Sequence, residues 1–240
     1  MNQDALILFL RYPERGAVKT RLAGMLGAEL TYKLYQCFLA DLSVMVREVR
    51  AEKVIVYEGP QEAVFPDFSG IGLIRQRGSD MGDRMFCALS DVFVRGFERC
   101  VLIGSDSPDL PGEIIDKAFE SLETNGAVIG PTFDGGYYLI GFSRNILSGQ
   151  VFENIRWSTE RVFPETMQRF RDNDISVHVL PRVRDMDTLE DIQALLKEYS
   201  QKDFGQSKTI RFLKEHGFTG GKDIVSSLRY TIPRDAGFYP

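Results

Sequence analysis

Lys19 and Arg21, in the stretch GAVKTRL (16–22), stand two positions apart on a loop that follows the first apolar run of the chain, ALILFL (5–10), with Pro13 and Gly16 on the way. Two cations at such a place suit an anion. Gly16 lets the backbone come close to a ligand, and a helix after the loop would add N–H groups and the positive end of its dipole, which together describe a phosphate site. Read alone, Lys-x-Arg also fits a solvated basic loop.

Three further stretches carry polar residues at the ends of apolar runs. VLIGSDSPDLP (101–111) holds Asp106 and Asp109, and its two prolines fix the turn, so a carboxylate is presented where a hard cation can use it. Mg²⁺ is bound by one or two carboxylates plus phosphate oxygens, so a sparse acidic loop is enough. Ser105, Asp106 and Ser107 could equally cap the next turn. GPTFDGGYYLIGF (130–142) has Gly135 and Gly136 where a hairpin would turn; the alternative is bare backbone lining a sugar or base, with Asp134 and Tyr137 as polar contacts. RDMDTLEDI (184–192) places Asp185 and Asp187 ahead of a helix whose N-cap is Asp187 or Thr188. Capping accounts for that pattern; a second metal carboxylate is the sharper alternative.

The elements that must position these loops follow from periodicity. Short apolar runs bounded by Gly, Pro or Asp predict strands at 5–10, 53–58, 72–76, 100–106, 127–131, 137–142 and 175–180. Between them, Leu30, Leu34, Cys37, Phe38, Leu42, Met45 and Val49 share one face of a helix over 28–49, and the same spacing predicts helices at 82–97, 112–123, 160–171 and 188–199. Alternation of this kind gives an α/β three-layer sandwich with a mostly parallel sheet. The sheet must be mixed, because AVIGP and YYLIGF are too close for a crossover helix and imply a hairpin. Ligands collect outside the carboxyl ends of such strands, which is where the four loops lie. After residue 200 the pattern changes. One short helix ends at Gly217, and the polar, aromatic-bearing tail beyond it, with Phe218, Tyr230, Phe238 and Tyr239, reads as an appendage (201–240) on a main domain (1–200).

Composition excludes several classes. With 240 residues, 43% of them hydrophobic, and a net charge of -5, the chain is long enough for one large α/β domain or two small ones with a proper core, and nothing global favours nucleic acid or an anionic membrane. Any bound anion must be met by local cations. Cys37, Cys87 and Cys100 are widely spaced in apolar segments, against a disulfide framework or a zinc site, and a reducing cytoplasm is the expected compartment. His178 and His216 form no cluster with them, there is no G-x-S-x-G elbow, and GFTGGKD lacks the spacing of a P-loop. The first apolar run is too short for a signal-peptide core, and no run approaches the length of a membrane span.

Taken in order, RYPERGAVKTRLA, QRGSDMGDRM, VLIGSDSPDLP, GPTFDGGYYLIGF, RWST and DMDTLEDI resemble the nucleotide-diphospho-sugar transferase superfamily of GT-A fold. Within it the likeness is to a bacterial glycosyltransferase-like family related to molybdenum-cofactor and phospholactate guanylyltransferases. The matching stretches span about 190 residues of the chain. The resemblance implies that Gly16, Lys19 and Arg21 form the nucleotide-phosphate loop, that Asp106 holds a divalent metal, Mg²⁺ or Mn²⁺, and that Asp187 is the second carboxylate on it. It also implies that Arg84, Asp134, Gly135, Gly136 and Tyr137 contact substrate, with the last three lining the sugar or acceptor pocket. Glycosyltransferases of this fold usually show Asp-x-Asp, whereas Asp106 and Asp109 stand three apart, closer to the single acid of nucleotidyltransferases. The expected activity is therefore nucleotidyl or glycosyl transfer from a nucleoside triphosphate or nucleotide-sugar to a small acceptor. The alternative is a protein that binds a nucleotide or phosphometabolite on the same fold without turnover.

Overall fold

The structure is a computed structural model that describes residues 3–199 and 203–218. Seven strands form one sheet: β1 (Asp4–Arg11), β2 (Glu52–Glu58), β3 (Gly72–Arg75), β4 (Arg99–Ile103), β5 (Ala127–Pro131), β6 (Tyr137–Ser143) and β7 (Val177–Val179). The helices are α1 (Thr20–Leu26), α2 (Ala28–Glu48), α3 (Met81–Phe93), α4 (Gly112–Ser121), α5 (Val162–Asp172), α6 (Leu189–Glu198) and α7 (Lys208–Glu215). The strand order is β3-β2-β1-β4-β6-β5-β7. All neighbours pair parallel except β6, which runs antiparallel to both β4 and β5. The expected mixed, mostly parallel sheet with helices on both sides is what the chain forms.

Internal contacts group the chain into two compact units: the described residues up to Tyr12 together with Leu42–Asp185, and Pro13–Asp41 together with the described residues from Met186 onward. The first unit contains the whole sheet. Its inner strands are buried on both faces, so they read as unbroken apolar runs, and β5 is buried at every position, whereas the edge strands β3 and β7 are largely exposed. Alternate residues split between two layers. Ala5 and Ile7 of β1, Val54 and Val56 of β2, Cys100 and Leu102 of β4, and Ile140 and Phe142 of β6 pack with Met85, Leu89 and Val92 of α3 and Phe170 of α5. Helix α4 lies against β4 and β5 and buries Ile115, Ala118 and Phe119.

In the second unit, α6 opens with a capping box in which Thr188 and Asp191 exchange bonds with each other's backbone N–H. Of the two N-caps the sequence allows, Thr188 is the one used. Helix α7 is capped by Ser207, and the Asp41 carboxylate of α2 accepts from the backbone N–H groups of Lys208 and Thr209, both at 2.8 Å. The expected junction at residue 200 falls inside this unit, between α6 and α7. Phe218 is buried there, while Tyr230, Phe238 and Tyr239 lie outside the described residues.

Phe142 is fully buried, with its ring centroid 5.9 Å from both Phe152 and Phe170. Truncation removes the aromatic that joins β6 to α5 and leaves a void the sheet cannot close. Phe142→Ala is expected to lower unfolding free energy by about 3–5 kcal/mol, read from urea denaturation.

Candidate functional site

In the first unit, the carboxyl ends of β4, β5 and β7 carry three segments that lie side by side. Strand β4 stops at Ile103, earlier than its apolar pattern predicts, because the turn 104–111 begins at once. Gly104 N–H donates to the Tyr138 carbonyl at 3.0 Å, which sets this loop beside the start of β6. The β5–β6 turn is closed by Thr132 N–H on the Gly136 carbonyl at 3.0 Å. The segment after β7 joins them: Thr132 bridges Val183, the Tyr138 hydroxyl donates to the Pro181 carbonyl at 3.1 Å, and the Ser107 hydroxyl donates to Asp185 Oδ1 at 3.0 Å. Asp106 is half-buried in the first of these segments, between buried Ser105 and Ser107.

The residues expected to contact substrate at the hairpin divide by what they do. Asp134 accepts from Gly136 N–H at 3.1 Å and from the Thr132 hydroxyl, so its charge holds the turn. Gly135 takes φ +93°, and a Cβ there would stand 2.3 Å from the Glu160 carbonyl oxygen. Its bare backbone therefore admits another piece of this chain, and its carbonyl accepts from Phe163 N–H at 2.8 Å. Gly136 leaves room for the Thr132 hydroxyl, 3.1 Å from where its Cβ would be. Tyr137 packs on the core, edge-on to Trp157, with its hydroxyl on the Met85 sulfur; burial pushes its phenol up.

The turn and the chain from 156 to 168 enclose an open cleft of about 930 Å³, whose charged wall comprises Arg156, Glu160, Arg161, Glu165 and Arg182. Sequence reading did not single out these residues. Arg156 lies in RWST, but its partner Glu165 is nine positions on, and Arg182 arrives from beyond β7.

Arg84 sits elsewhere on the sheet edge, in the first turn of α3. It reaches Glu58 at the end of β2 at 3.1 Å, and Glu58 also meets Arg11 of β1 at 2.7 Å. Gln76 ties the same ends together, donating to the carbonyls of Leu10 at 3.1 Å and Val56 at 3.2 Å. Burial raises the Glu58 carboxyl, but the Arg11 hydrogen bond and the charges of Arg11 and Arg84 outweigh it, and the group lies below its ordinary value.

In the second unit, Gly16 turns the chain at φ +76° with open space around it. Lys19 precedes α1 in the left-handed conformation, φ 47° and ψ 51°, which a non-glycine residue holds at a cost of about 1–3 kcal/mol. Its side chain is only 5% exposed, and its ammonium meets Asp187 Oδ1 at 2.8 Å. Arg21, 67% exposed, approaches Asp187 Oδ2 at 3.8 Å. Lys19, Arg21 and Asp187, distant in sequence, are thus brought together as two cations on one carboxylate.

Among the described residues, no group of three or more His, Cys, Asp or Glu side chains is arranged to hold an ion. Asp106 is a carboxylate on a loop, a donor type that Mg²⁺ or Mn²⁺ uses together with phosphate oxygens. No helix among the described residues is long and apolar enough to cross a membrane.

Two substitutions test these assignments. Gly135→Ala is expected to destabilise by about 1–3 kcal/mol or more, because strain and the Glu160 backbone both oppose it, while Gly16→Ala loses only about 1 kcal/mol; urea denaturation compares them. Arg84→Ala removes one of the charges that keep Glu58 ionised, so the Glu58 carboxyl should titrate at higher pH by carboxyl-carbon NMR. The sign for stability follows: the contribution of Glu58 is present above the usual carboxylate pKa and is lost as pH falls through its lowered value, so in the variant that loss begins at higher pH.

The family described as "Uncharacterized protein conserved in bacteria (DUF2064)" matches residues 41–159. No curated protein matches the sequence. Among solved structures, a candidate nucleotide-diphospho-sugar transferase from Desulfovibrio desulfuricans G20 is 33% identical, covering 96% of this chain and 99% of its own, at a TM-score of 0.86. Two others share the fold at low identity. A cytidylyltransferase from Leptospira borgpetersenii is 16% identical, with 93% of this chain and 99% of its own covered, TM-score 0.54. CMP:2-keto-3-deoxy-manno-octonic acid synthetase complexed with CTP is 15% identical, with 81% and 99% covered, TM-score 0.51. Identity of one residue in three across nearly all of both chains, on the same mixed sheet, places this protein in the nucleotide-diphospho-sugar transferase family of that Desulfovibrio protein.

Proposed function

We propose that the protein is a metal-dependent transferase that binds a nucleoside triphosphate or a nucleotide-sugar and passes a nucleotidyl or glycosyl group to a small acceptor. The observation that carries this reading is Lys19, a nearly buried ammonium held at the head of a helix after the first strand, beside Arg21 and balanced by one acid. Burying a cation costs several kcal/mol unless it is paired, and a lysine and an arginine side by side offer charge-assisted N–H donors to phosphate oxygens. A protein of this fold holds CTP, so the fold accommodates a nucleoside triphosphate.

Roles follow residue by residue. Lys19 and Arg21 bind phosphate oxygens and stabilise the charge that accumulates on the leaving group. Asp106 and, by the family resemblance, Asp187 are the carboxylates assigned to Mg²⁺ or Mn²⁺, which when bound supplies positive charge to phosphate oxygens. A triphosphate carries about four negative charges; one divalent ion and the two side-chain cations bring about four positive ones, part of which Asp187 already balances. Gly135 and Gly136 keep the hairpin turn tight beside the cleft where the acceptor rests. In nucleotidyl transfer an acceptor oxygen attacks the α-phosphorus in line, the bond to the bridging oxygen breaks, and pyrophosphate leaves with that electron pair. In glycosyl transfer the acceptor oxygen attacks the anomeric carbon and the nucleoside diphosphate leaves. The wide spacing of Asp106 and Asp109 favours the first.

A thermal-shift panel of nucleoside triphosphates and nucleotide-sugars, with and without Mg²⁺ or Mn²⁺, tests the reading. A ligand at about 100 times its dissociation constant adds about 2.7 kcal/mol, which for a chain of this size raises Tm by roughly 5 to 10 °C. Lys19→Met should abolish the shift, and Asp106→Asn should remove its dependence on metal. Silence across the panel sinks the proposal, and the product released with acceptor present, pyrophosphate or nucleoside diphosphate, separates the two reactions.

A further inference from the structure

We infer that the cleft beside the 132–136 turn takes the acceptor by an oxyanion, a carboxylate or phosphate group, held between Arg161 and Arg182. This rests on the transferase reading above and names its acceptor class. The cleft's charges are unequally engaged. Asp134 is occupied with the turn, accepting from the Thr132 hydroxyl and Gly136 N–H. Glu165 is gripped by Arg156 through Nε at 2.6 Å and through its backbone N–H at 2.8 Å. Those bonds, with the nearby charge of Arg161, hold the Glu165 carboxyl below its ordinary value. Arg156 is thereby committed as well.

What remains on the wall is Arg161, Arg182 and Glu160. Among the described residues, neither the Arg161 nor the Arg182 guanidinium donates a hydrogen bond or forms an ion pair. Arg161 immediately precedes α5, and Arg182 adjoins Val183, which is bridged to Thr132, so both are mounted on backbone tied to the turn. Two guanidiniums line the same cleft of about 930 Å³, and each presents paired N–H donors that a carboxylate or phosphate can accept from. Phe133 and Phe163 supply apolar walls for the body of a small molecule, and Glu160 accepts from a hydroxyl or amine on it. The location fits the role: Gly104 N–H on the Tyr138 carbonyl sets the loop of Asp106 against this turn. Had the cleft served only as a packing seam, its cations would be matched as Arg156 is.

Glycerol 3-phosphate, glycerate and glycerol share a skeleton and differ in charge, so calorimetric titration with each provides the test. One or both anions should bind, and glycerol should not; which anion binds distinguishes phosphate from carboxylate recognition. Arg161→Glu and Arg182→Glu should each weaken anion binding at least tenfold while the nucleotide thermal shift persists. Both side chains are exposed, and Arg161→Gln and Arg182→Gln, which should weaken binding in the same direction, guard against a folding artefact. Equal binding of glycerol, no binding of either anion, or anion binding that survives the arginine variants but is lost in Lys19→Met would overturn the inference. A retained, arginine-dependent anion response with no nucleotide response would instead defeat the transferase reading and, with it, the acceptor role.

Discussion

Strand β6 runs against its two neighbours inside an otherwise parallel sheet, and much of the candidate site depends on that reversal. A parallel neighbour to β5 would have required a crossover helix and returned the chain to the far edge. The antiparallel partner needs only the turn at 132–136, and this leaves the turn at the carboxyl edge, level with the loop that carries Asp106. The turn is tight enough to demand a positive φ at Gly135, and the missing side chain lets the Glu160 backbone close in. One change of strand direction thus places an acid, a turn and the wall of a cleft together, each held by backbone hydrogen bonds and not by side chains alone.

The second unit solves an electrostatic problem. A lysine side chain that is 5% exposed cannot remain charged without a partner, and Asp187 supplies one at the entrance to α6. The carboxylate is itself fixed by the start of that helix, where its own N–H faces Asp191 Oδ2 at 3.3 Å. Arg21 is different: it is long, exposed and only loosely near the same acid. One cation is nearly buried and the other exposed to solvent, a division that suits capture of a polyphosphate.

Much of this was legible in the sequence, for definite reasons. Long periodic segments such as α2 and buried runs such as β5 announce themselves, because their burial pattern is carried by consecutive residues. Asp106, Lys19 and Gly135 were visible because each lies in a loop that follows an apolar run. Helix α1 was not resolved as an element: it is seven residues long, contains Gly24 and buries only Leu22 and Leu26, too few to show a period. Strand β7 is shorter than its apolar run, since it is an edge strand with only β5 to pair with. The cleft arginines were out of reach for another reason. Arg182 reaches the cleft through the Thr132–Val183 bridge, a tertiary contact with no local signature, and Arg161 lines the same cleft from the start of α5. Asp187 read as a cap or a metal carboxylate, and its engagement with Lys19 spans 168 positions.

The Lys19–Asp187 contact also makes the protein its own competitor. Any anion that reaches the ammonium must first displace a carboxylate already aligned with it, so a ligand with a single negative charge exchanges one ion pair for an equivalent one and gains little. A ligand with several charges gains from Arg21 and from any accompanying ion as well. On the proposed reading the internal acid acts as a threshold: every anion meets the same displacement cost, and only a multiply charged one recovers it, so selectivity arises from what is rejected.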